Sequence, residues 1–215
     1  MDMSGGEIPK LIVSNVTRGA LDSISEALYA GANQAFKDSK NRAEGHLPSV
    51  LGLARHFWMN ETFYEALAGS GLSPSSLAGN RIVTGTSGIV TIARFNTKEA
   101  RLEKGRKSKS RLKLAEANRI VESLAQPGLF DSRPSAPISL SAFFVASFAA
   151  SPQILPDRPV KIEVAVPSGS MDKWLFCEAI EHLMARYEVA VLQEDRARPK
   201  LKASVQERDV KGDAS

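Results

Sequence analysis

The sequence is poor in the residues that build disulfides and zinc sites, with one cysteine and three histidines among 215 residues. Because Cys177 alone cannot form an internal disulfide, we expect the protein to reside in a reducing, cytoplasmic compartment. Zinc sites need clustered cysteine and histidine ligands, and the chain contains neither a CxxC nor an HxxxH pattern. These absences predict that the protein holds no metal ion.

Long hydrophobic runs are also missing. The most apolar stretch, residues 138–150, is interrupted by three serines and is shorter than the roughly 18 residues that cross a bilayer. The N-terminal sequence MDMSGGEIPK lacks the basic and apolar regions of a secretory signal. We therefore expect neither export nor a membrane partner.

Two common catalytic motifs are absent as well. No GxxxxGK[ST] loop is present to bind phosphates. The sequence TGTSG at residues 84–88 misses the GxSxG spacing of a serine nucleophile elbow. No cofactor is indicated, and the motifs leave open whether the protein is an enzyme.

What is present indicates a globular fold. Hydrophobic residues make up 43% of the chain, an ordinary fraction that allows a sizeable core. Apolar residues at three-and-four spacing predict amphipathic helices over residues 17–36 and 48–67. Small residues in the first of these helices favour the close approach of another backbone, so we expect that helix to be central. Residues 11–13 predict a short strand, and Ser73-Pro74 predicts the start of a short helix.

Strand patterns dominate the rest of the chain. Glycines between two β-branched runs predict a hairpin over residues 81–95. Alternating apolar residues predict strands at 138–149 and 160–166, antiparallel because their short connection leaves no room for a crossover helix. A final helix capped by Ser170 and a strand at residues 189–192 are expected to follow.

This order of elements predicts an α+β fold with a mainly antiparallel sheet and helices packed on one face. We expect one domain over residues 1–193, with a basic mobile segment at residues 97–113. Residues 194–215 are highly charged and poor in apolar side chains, which predicts a disordered tail.

The basic segment, KEARLEKGRKSKSRLK at residues 98–113, is the strongest positive feature. Its eight basic and two acidic residues give a local charge of +6, which exceeds the net charge of +4 for the whole chain. Concentrated positive charge attracts nucleic-acid phosphates, so the leading hypothesis is a non-enzymatic nucleic-acid-associated or regulatory protein that binds RNA or DNA. The competing interpretation is a solvated connection. The predicted phosphate contacts are Arg101, Lys104, Arg106, Lys107, Lys109 and Arg111.

A small metal-independent ribonuclease or toxin-like enzyme is the first alternative. RNA cleavage requires a base, an acid and a cation, for which His46, His56 and Arg42 are the candidates. Ten residues of straight helix correspond to a rise of about 15 Å, so this hypothesis requires His46 to lie off the helix.

Two further alternatives involve interaction modules. A helix ending at Leu67, a short second helix and the hairpin follow the order of a winged helix-turn-helix. Alternatively, an exposed strand edge or the aromatic cluster of Phe57, Trp58, Phe63 and Tyr64 binds a protein partner, as in modules of mobile elements or bacterial defence systems. Core packing is the favoured interpretation of that cluster.

Overall fold

The computed structural model describes residues 6–79, 81–98, 108–125, 139–149 and 155–194. The described elements are, in chain order, α1 (Glu7–Asn15), α2 (Arg18–Ser39), α3 (Leu47–Gly69), β1 (Ser73–Pro74), β2 (Thr84–Ser87), β3 (Val90–Lys98), α4 (Lys109–Ala115), a 3-10 turn (Glu116–Asn118), α5 (Arg119–Ala125), β4 (Leu140–Phe148), β5 (Lys161–Pro167), β6 (Trp174–Ala179) and α6 (Ile180–Glu194).

The six strands form one mixed sheet in the order β1-β2-β3-β4-β5-β6. All neighbouring strands are antiparallel except β3 and β4, so the predicted α+β class and mainly antiparallel sheet are confirmed. The predicted hairpin is formed by β2 and β3, where Ser87 lies opposite Val90 and Gly88 takes φ 53°. A positive φ suits glycine, which has no Cβ to clash. The predicted pairing of β4 with β5 is also present.

The parallel pairing of β3 with β4 is the main feature that the sequence pattern does not reveal. Parallel neighbours need a long crossover connection, and α4, the 3-10 turn and α5 lie between these two strands in the chain. Alternation of apolar residues reports which face of a strand is buried. It carries no information about the direction of the neighbouring strand.

The sheet is covered unequally on its two faces. The larger core lies between one face and the long helices, with Ile8 of α1, Leu21 of α2 and Met59 of α3 packed in the same cluster as Phe144. These long helices lie on one face, as predicted. On the other face a smaller cluster includes Phe95, against which Leu114 of α4 and Trp174 of β6 pack. Because both faces are covered at β4, all nine of its residues are buried.

Helices α2 and α3 approach most closely at Gly31. A Cβ at this position would lie 2.5 Å from Thr62 Oγ1 and 2.9 Å from Met59 Cα. Thr62 Oγ1 also donates a hydrogen bond of 2.8 Å to the carbonyl oxygen of Ala27. This close contact fixes α3 against α2, and α3 carries several of the site residues described below.

The Asn118 side chain forms hydrogen bonds to β4 and β5 at the position where Pro167 ends the regular pairing of β5. Pro167 ends β5 and has no N–H to donate. The buried Asn118 side chain donates to the carbonyl oxygens of Ser141 at 3.0 Å and Pro167 at 2.9 Å. Its Oδ1 accepts from the Ser141 N–H at 2.7 Å. One amide side chain therefore fixes the 3-10 turn to the ends of β4 and β5.

The prediction of a helix beginning at Ser73-Pro74 is wrong, and with it the winged helix-turn-helix interpretation. Ser73–Pro74 forms β1, paired with β2, and residues 75–79 are not helical. Ser75 donates its N–H to the Thr84 carbonyl at 2.7 Å, and its hydroxyl accepts from the Thr84 N–H. These tertiary hydrogen bonds override the local capping signal, so no recognition helix is formed in this part of the chain.

Three smaller predictions also differ from the structure. Residues 11–13 belong to α1 instead of a strand, and residues 189–192 belong to α6. Ser170 does not cap the last helix, because β6 lies between it and α6. Apolar residues at helical spacing run through both β6 and α6, which hides the boundary between them. The predicted tail lies outside the described residues apart from Glu194, the last residue of α6.

Candidate anion-binding site

A cleft lies beside the part of β3 that has no paired strand on the β2 side among the residues that the structure describes. The pairing of β2 with β3 ends with Thr84 opposite Ala93, whereas β3 continues to Lys98. Residues of α3 and α4 reach this open edge of β3, and together they enclose a cavity of about 200 Å³ that we call the arginine cleft. Its lining residues are Gly52, His56, Asn60, Ile82, Arg94, Phe95, Asn96 and Arg111.

Arg94 is the most deeply buried charged residue of the cleft, with 5% of its surface exposed. Its Nη2 donates to Asn60 Oδ1 at 2.7 Å and to the His56 carbonyl oxygen at 2.8 Å. Its Nη1 donates to Asn96 Oδ1 at 3.0 Å. All three acceptors are neutral, so these bonds hold the guanidinium in place without cancelling its charge.

No carboxylate compensates this charge among the residues that the structure describes. None of the described lining residues is an aspartate or a glutamate, and Arg94 Nε is buried without a hydrogen-bond partner. Burial, followed by the nearby charge of Arg111, lowers the pKa of Arg94 to about 9. Burying an unpaired charge is costly. An anion bound in the cleft would supply the missing compensation.

Arg111 brings a second guanidinium to the same cleft. Its Cζ lies 4.9 Å from the centroid of the Phe95 ring, within the range of a cation–π contact. Its Nε is buried and has no hydrogen-bond partner in the described part of the chain. Burial lowers the pKa of Arg111 as well. Two arginines, each with an Nε–H group that has no described hydrogen-bond partner, therefore line one small cavity.

His56 is half-buried beside these arginines. Its Nε2 lies 3.4 Å from Asn60 Nδ2, and its ring meets Phe57 edge-on at 5.3 Å between centroids. Burial lowers the pKa of His56, and the charges of Arg94 and Arg111 lower it further. Both effects lower the pKa of His56 and so favour the neutral imidazole near pH 7. A neutral imidazole can accept a proton or a hydrogen bond from a ligand.

The structure describes only two of the six predicted phosphate contacts. Arg111 lies in the cleft, and Lys109 is exposed on the first turn of α4. The remaining four, Arg101, Lys104, Arg106 and Lys107, lie outside the described residues, as does most of the predicted basic arm.

The candidate ribonuclease residues are not brought together. His56 lines the cleft, whereas His46 is the N-cap residue of α3 and Arg42 lies in the exposed loop before it. Ten residues of helix separate the two histidines, which corresponds to a rise of about 15 Å. His56 therefore lies near the arginines Arg94 and Arg111 instead of near His46.

Arg94 and Asn60 are the site residues that sequence reasoning missed. Arg94 interrupts an otherwise apolar and β-branched run, and a charge inside a predicted buried strand is the signal that marks it. Nothing local to the sequence marks Asn60. Asn60 reaches the cleft only because folding brings α3 next to β3.

A second cavity of about 170 Å³ adjoins the arginine cleft and shares Asn60 with it. Phe57 and Leu77, which are 38% and 46% exposed, line this cavity. Phe57 belongs to the aromatic cluster that is predicted to pack in the core, and its exposure is contrary to that prediction. Two other members of the cluster make internal contacts. Phe63 is fully buried, and Trp58 Nε1 donates to Asp38 Oδ2 at 2.7 Å. We call the second cavity the Phe57 pocket.

Other site types find no support in the described residues. They contain no group of three or more His, Cys, Asp or Glu side chains arranged to hold a metal ion. Among the described helices, none combines the length and hydrophobicity needed to cross a bilayer. Comparison of the chain with protein-family models, curated proteins and solved structures finds no match. The chemistry of the cleft therefore carries the functional argument.

Proposed function

We propose that the protein binds nucleic acid through its phosphate groups, with the arginine cleft as the fixed part of the binding surface. The observation that supports this function is Arg94, a buried guanidinium held by neutral acceptors with no described carboxylate beside it. Arginine suits phosphate because its planar fork of N–H groups matches the phosphate oxygens.

The basic segment supports the same proposal by its position in the chain. It begins at Lys98, the last residue of β3, and it ends in α4, which places Arg111 in the cleft. The described ends of the +6 segment therefore join β3, which carries Arg94, to α4, which carries Arg111. Positive charge of this density steers polyanions towards the cleft.

The proposal is tested by titrating labelled single-stranded RNA and duplex DNA with the full chain at about 50 and about 200 mM salt. If roughly four cations contact duplex phosphates, log K should fall against log salt with a slope of about −3.6. Arg111→Gln and Lys109→Gln should each weaken binding and reduce the slope by about 0.9.

Lys10→Gln is the matched control, since it removes one exposed positive charge from α1. This helix lies at the other end of β3, where Asn15 Oδ1 accepts a hydrogen bond from the Ile89 N–H. The control should bind as the unmodified chain does. Absence of binding to both polymers at low salt, or an equal loss in the control, would contradict the proposal.

One observation favours a second candidate function, the cleavage of RNA without metal. His56 offers a neutral base beside two cations, which is part of the required set. Among the described lining residues no second proton carrier is present, so binding is the better supported function. Incubating RNA with the protein in EDTA tests cleavage: His56→Ala should abolish it, and His46→Ala should leave it intact. Equal products from both variants would exclude His56 as the base.

A further inference from the structure

The arginine cleft and the Phe57 pocket adjoin at Asn60, and their chemistry differs. The first presents two guanidiniums, whereas the second presents the exposed apolar side chains of Phe57 and Leu77 beside the polar residues Glu61 and Arg81. We propose that together they bind one terminal nucleotide, with its phosphomonoester in the arginine cleft and its base in the Phe57 pocket. This inference rests on the proposed function and specifies which part of a nucleic acid the cleft recognises.

The charge of the cleft favours a phosphomonoester over the diester inside a strand. A monoester carries a charge close to −2 at pH 7 because its second pKa is about 6, whereas a diester carries −1. Arg94 and Arg111 supply two positive charges, and no described carboxylate offsets them. The buried Nε groups of both residues have no hydrogen-bond partner in the described part of the chain, so neither guanidinium is fully satisfied by the protein.

The size of the cleft points to the same ligand. A cavity of about 200 Å³ is smaller than the roughly 300–1,000 Å³ of typical small-molecule sites. Such a volume accommodates one phosphate group but not several nucleotides of a continuous strand. A terminal phosphate of a strand, or the phosphate of a free nucleotide, fits this volume.

The Phe57 pocket suits the base. Nucleobases stack on exposed aromatic rings without regard to sequence. The Phe57 ring is partly exposed and is oriented by its edge-on contact with His56, while Leu77 provides a second apolar wall. Asn60 lies between the two cavities, with its Oδ1 fixed by Arg94.

The test compares one single-stranded oligonucleotide with a 5′-phosphate, a 3′-phosphate or hydroxyl groups at both ends, together with a nucleoside monophosphate. We expect at least one terminal phosphate to tighten binding about tenfold or more over the hydroxyl form. Arg111→Gln and Arg94→Met should each remove this difference, and Arg111→Gln keeps the test valid if the buried substitution prevents folding.

Phe57→Ala tests the base pocket, with Leu53→Ala as its matched control. Leu53 lies one turn earlier on α3, is 57% exposed and lines neither cavity among the described residues. Phe57→Ala should weaken the binding of the nucleoside monophosphate at least fivefold and leave the binding of inorganic phosphate unchanged. Leu53→Ala should change neither.

The outcomes separate this inference from the proposed function. Equal binding of phosphorylated and unphosphorylated oligonucleotides overturns the terminal-phosphate inference and leaves nucleic-acid binding in place. Binding of the nucleoside monophosphate without any oligonucleotide supports the ligand chemistry and identifies a free nucleotide as its source, which overturns the proposed function. Binding of none of these probes at low salt overturns both.

Discussion

Arg94 Nη2 donates to Asn60 Oδ1 at 2.7 Å, and this bond joins the open edge of β3 to the middle of α3. The bond orients a buried guanidinium and neutralises none of its charge. Structural arginines in protein interiors are ordinarily paired with carboxylates. The Arg94–Asn60 pair is therefore better suited to positioning a charge for a ligand than to stabilising the fold.

The first prediction separates these two roles by replacing both partners. In Arg94→Met/Asn60→Leu, the buried charge and its main acceptor are exchanged for apolar side chains of similar size. Such exchanges are often neutral or stabilising, but the His56 carbonyl and Asn96 Oδ1 lose Arg94 as a donor, so we expect urea denaturation to show a loss of about 1–2 kcal/mol. Phosphate binding should be lost in the same variant. A loss of stability above about 3 kcal/mol would show that Arg94 is structural.

The second prediction concerns the titration of His56. Its pKa in the folded state lies below the ordinary 6.5 because of burial and of the charges of Arg94 and Arg111. Between these two pKa values the unfolded chain binds more protons, so stability falls as the pH is lowered through this window. Below the folded-state pKa the loss is complete.

Histidine ring signals in NMR spectra measure this titration directly. Bound phosphomonoester should raise the pKa of His56, because it offsets the two positive charges nearby. Arg111→Gln should raise it also, without any ligand. A ligand-free His56 that titrates at or above 6.5 would contradict the described environment.

The third prediction concerns Gly31 and uses Gly52 as its control. Gly31→Ala forces backbone movement, because the new Cβ would lie 2.9 Å from Met59 Cα, and should cost about 1–3 kcal/mol. Gly52 lies inside α3 with nothing within 4 Å of an added Cβ. Gly52→Ala should raise stability by about 0.5–1 kcal/mol. Equal effects in denaturant unfolding would mean that α2 and α3 do not pack as described.

The sequence predicts those elements of the fold that depend on a few neighbouring residues, and it does not predict the pairing of strands that are distant in the chain. The β2–β3 hairpin and the strands β4 and β5 follow from turn glycines and alternation over a few residues. The parallel pairing of β3 with β4 does not, because local patterns predict a helix between these strands but do not show that it forms a crossover connection.

The same distinction applies to the site. Arg111 is identified by the local density of positive charge, and His56 by its residue type. Arg94 is visible as a charge within an apolar strand, but its acceptors on α3 lie 34 and 38 residues earlier in the chain. Only the packing of α3 against the sheet brings these groups together.

The fourth prediction addresses Asn118, whose amide side chain makes three buried hydrogen bonds. Asn118→Ala leaves the Ser141 N–H and two carbonyl oxygens without this partner, and each unsatisfied buried group costs about 1–3 kcal/mol. We expect a total loss of about 3 kcal/mol or more by denaturant unfolding. Gln34→Ala, which removes an exposed side-chain hydrogen bond to Asp38, should cost less than about 1 kcal/mol. Similar losses in the two variants would contradict the role assigned to Asn118.

The most direct test of the arginine cleft is to observe the Nε–H groups of Arg94 and Arg111 by ¹H–¹⁵N NMR while a nucleoside monophosphate is added. Both groups lack a described hydrogen-bond partner, so a phosphate bound between them should move both resonances downfield and in a saturable manner. Arg111→Gln should remove one resonance and greatly weaken the response of the other. Resonances that stay unchanged in the folded protein at millimolar ligand would contradict the assignment of the cleft as a phosphate site.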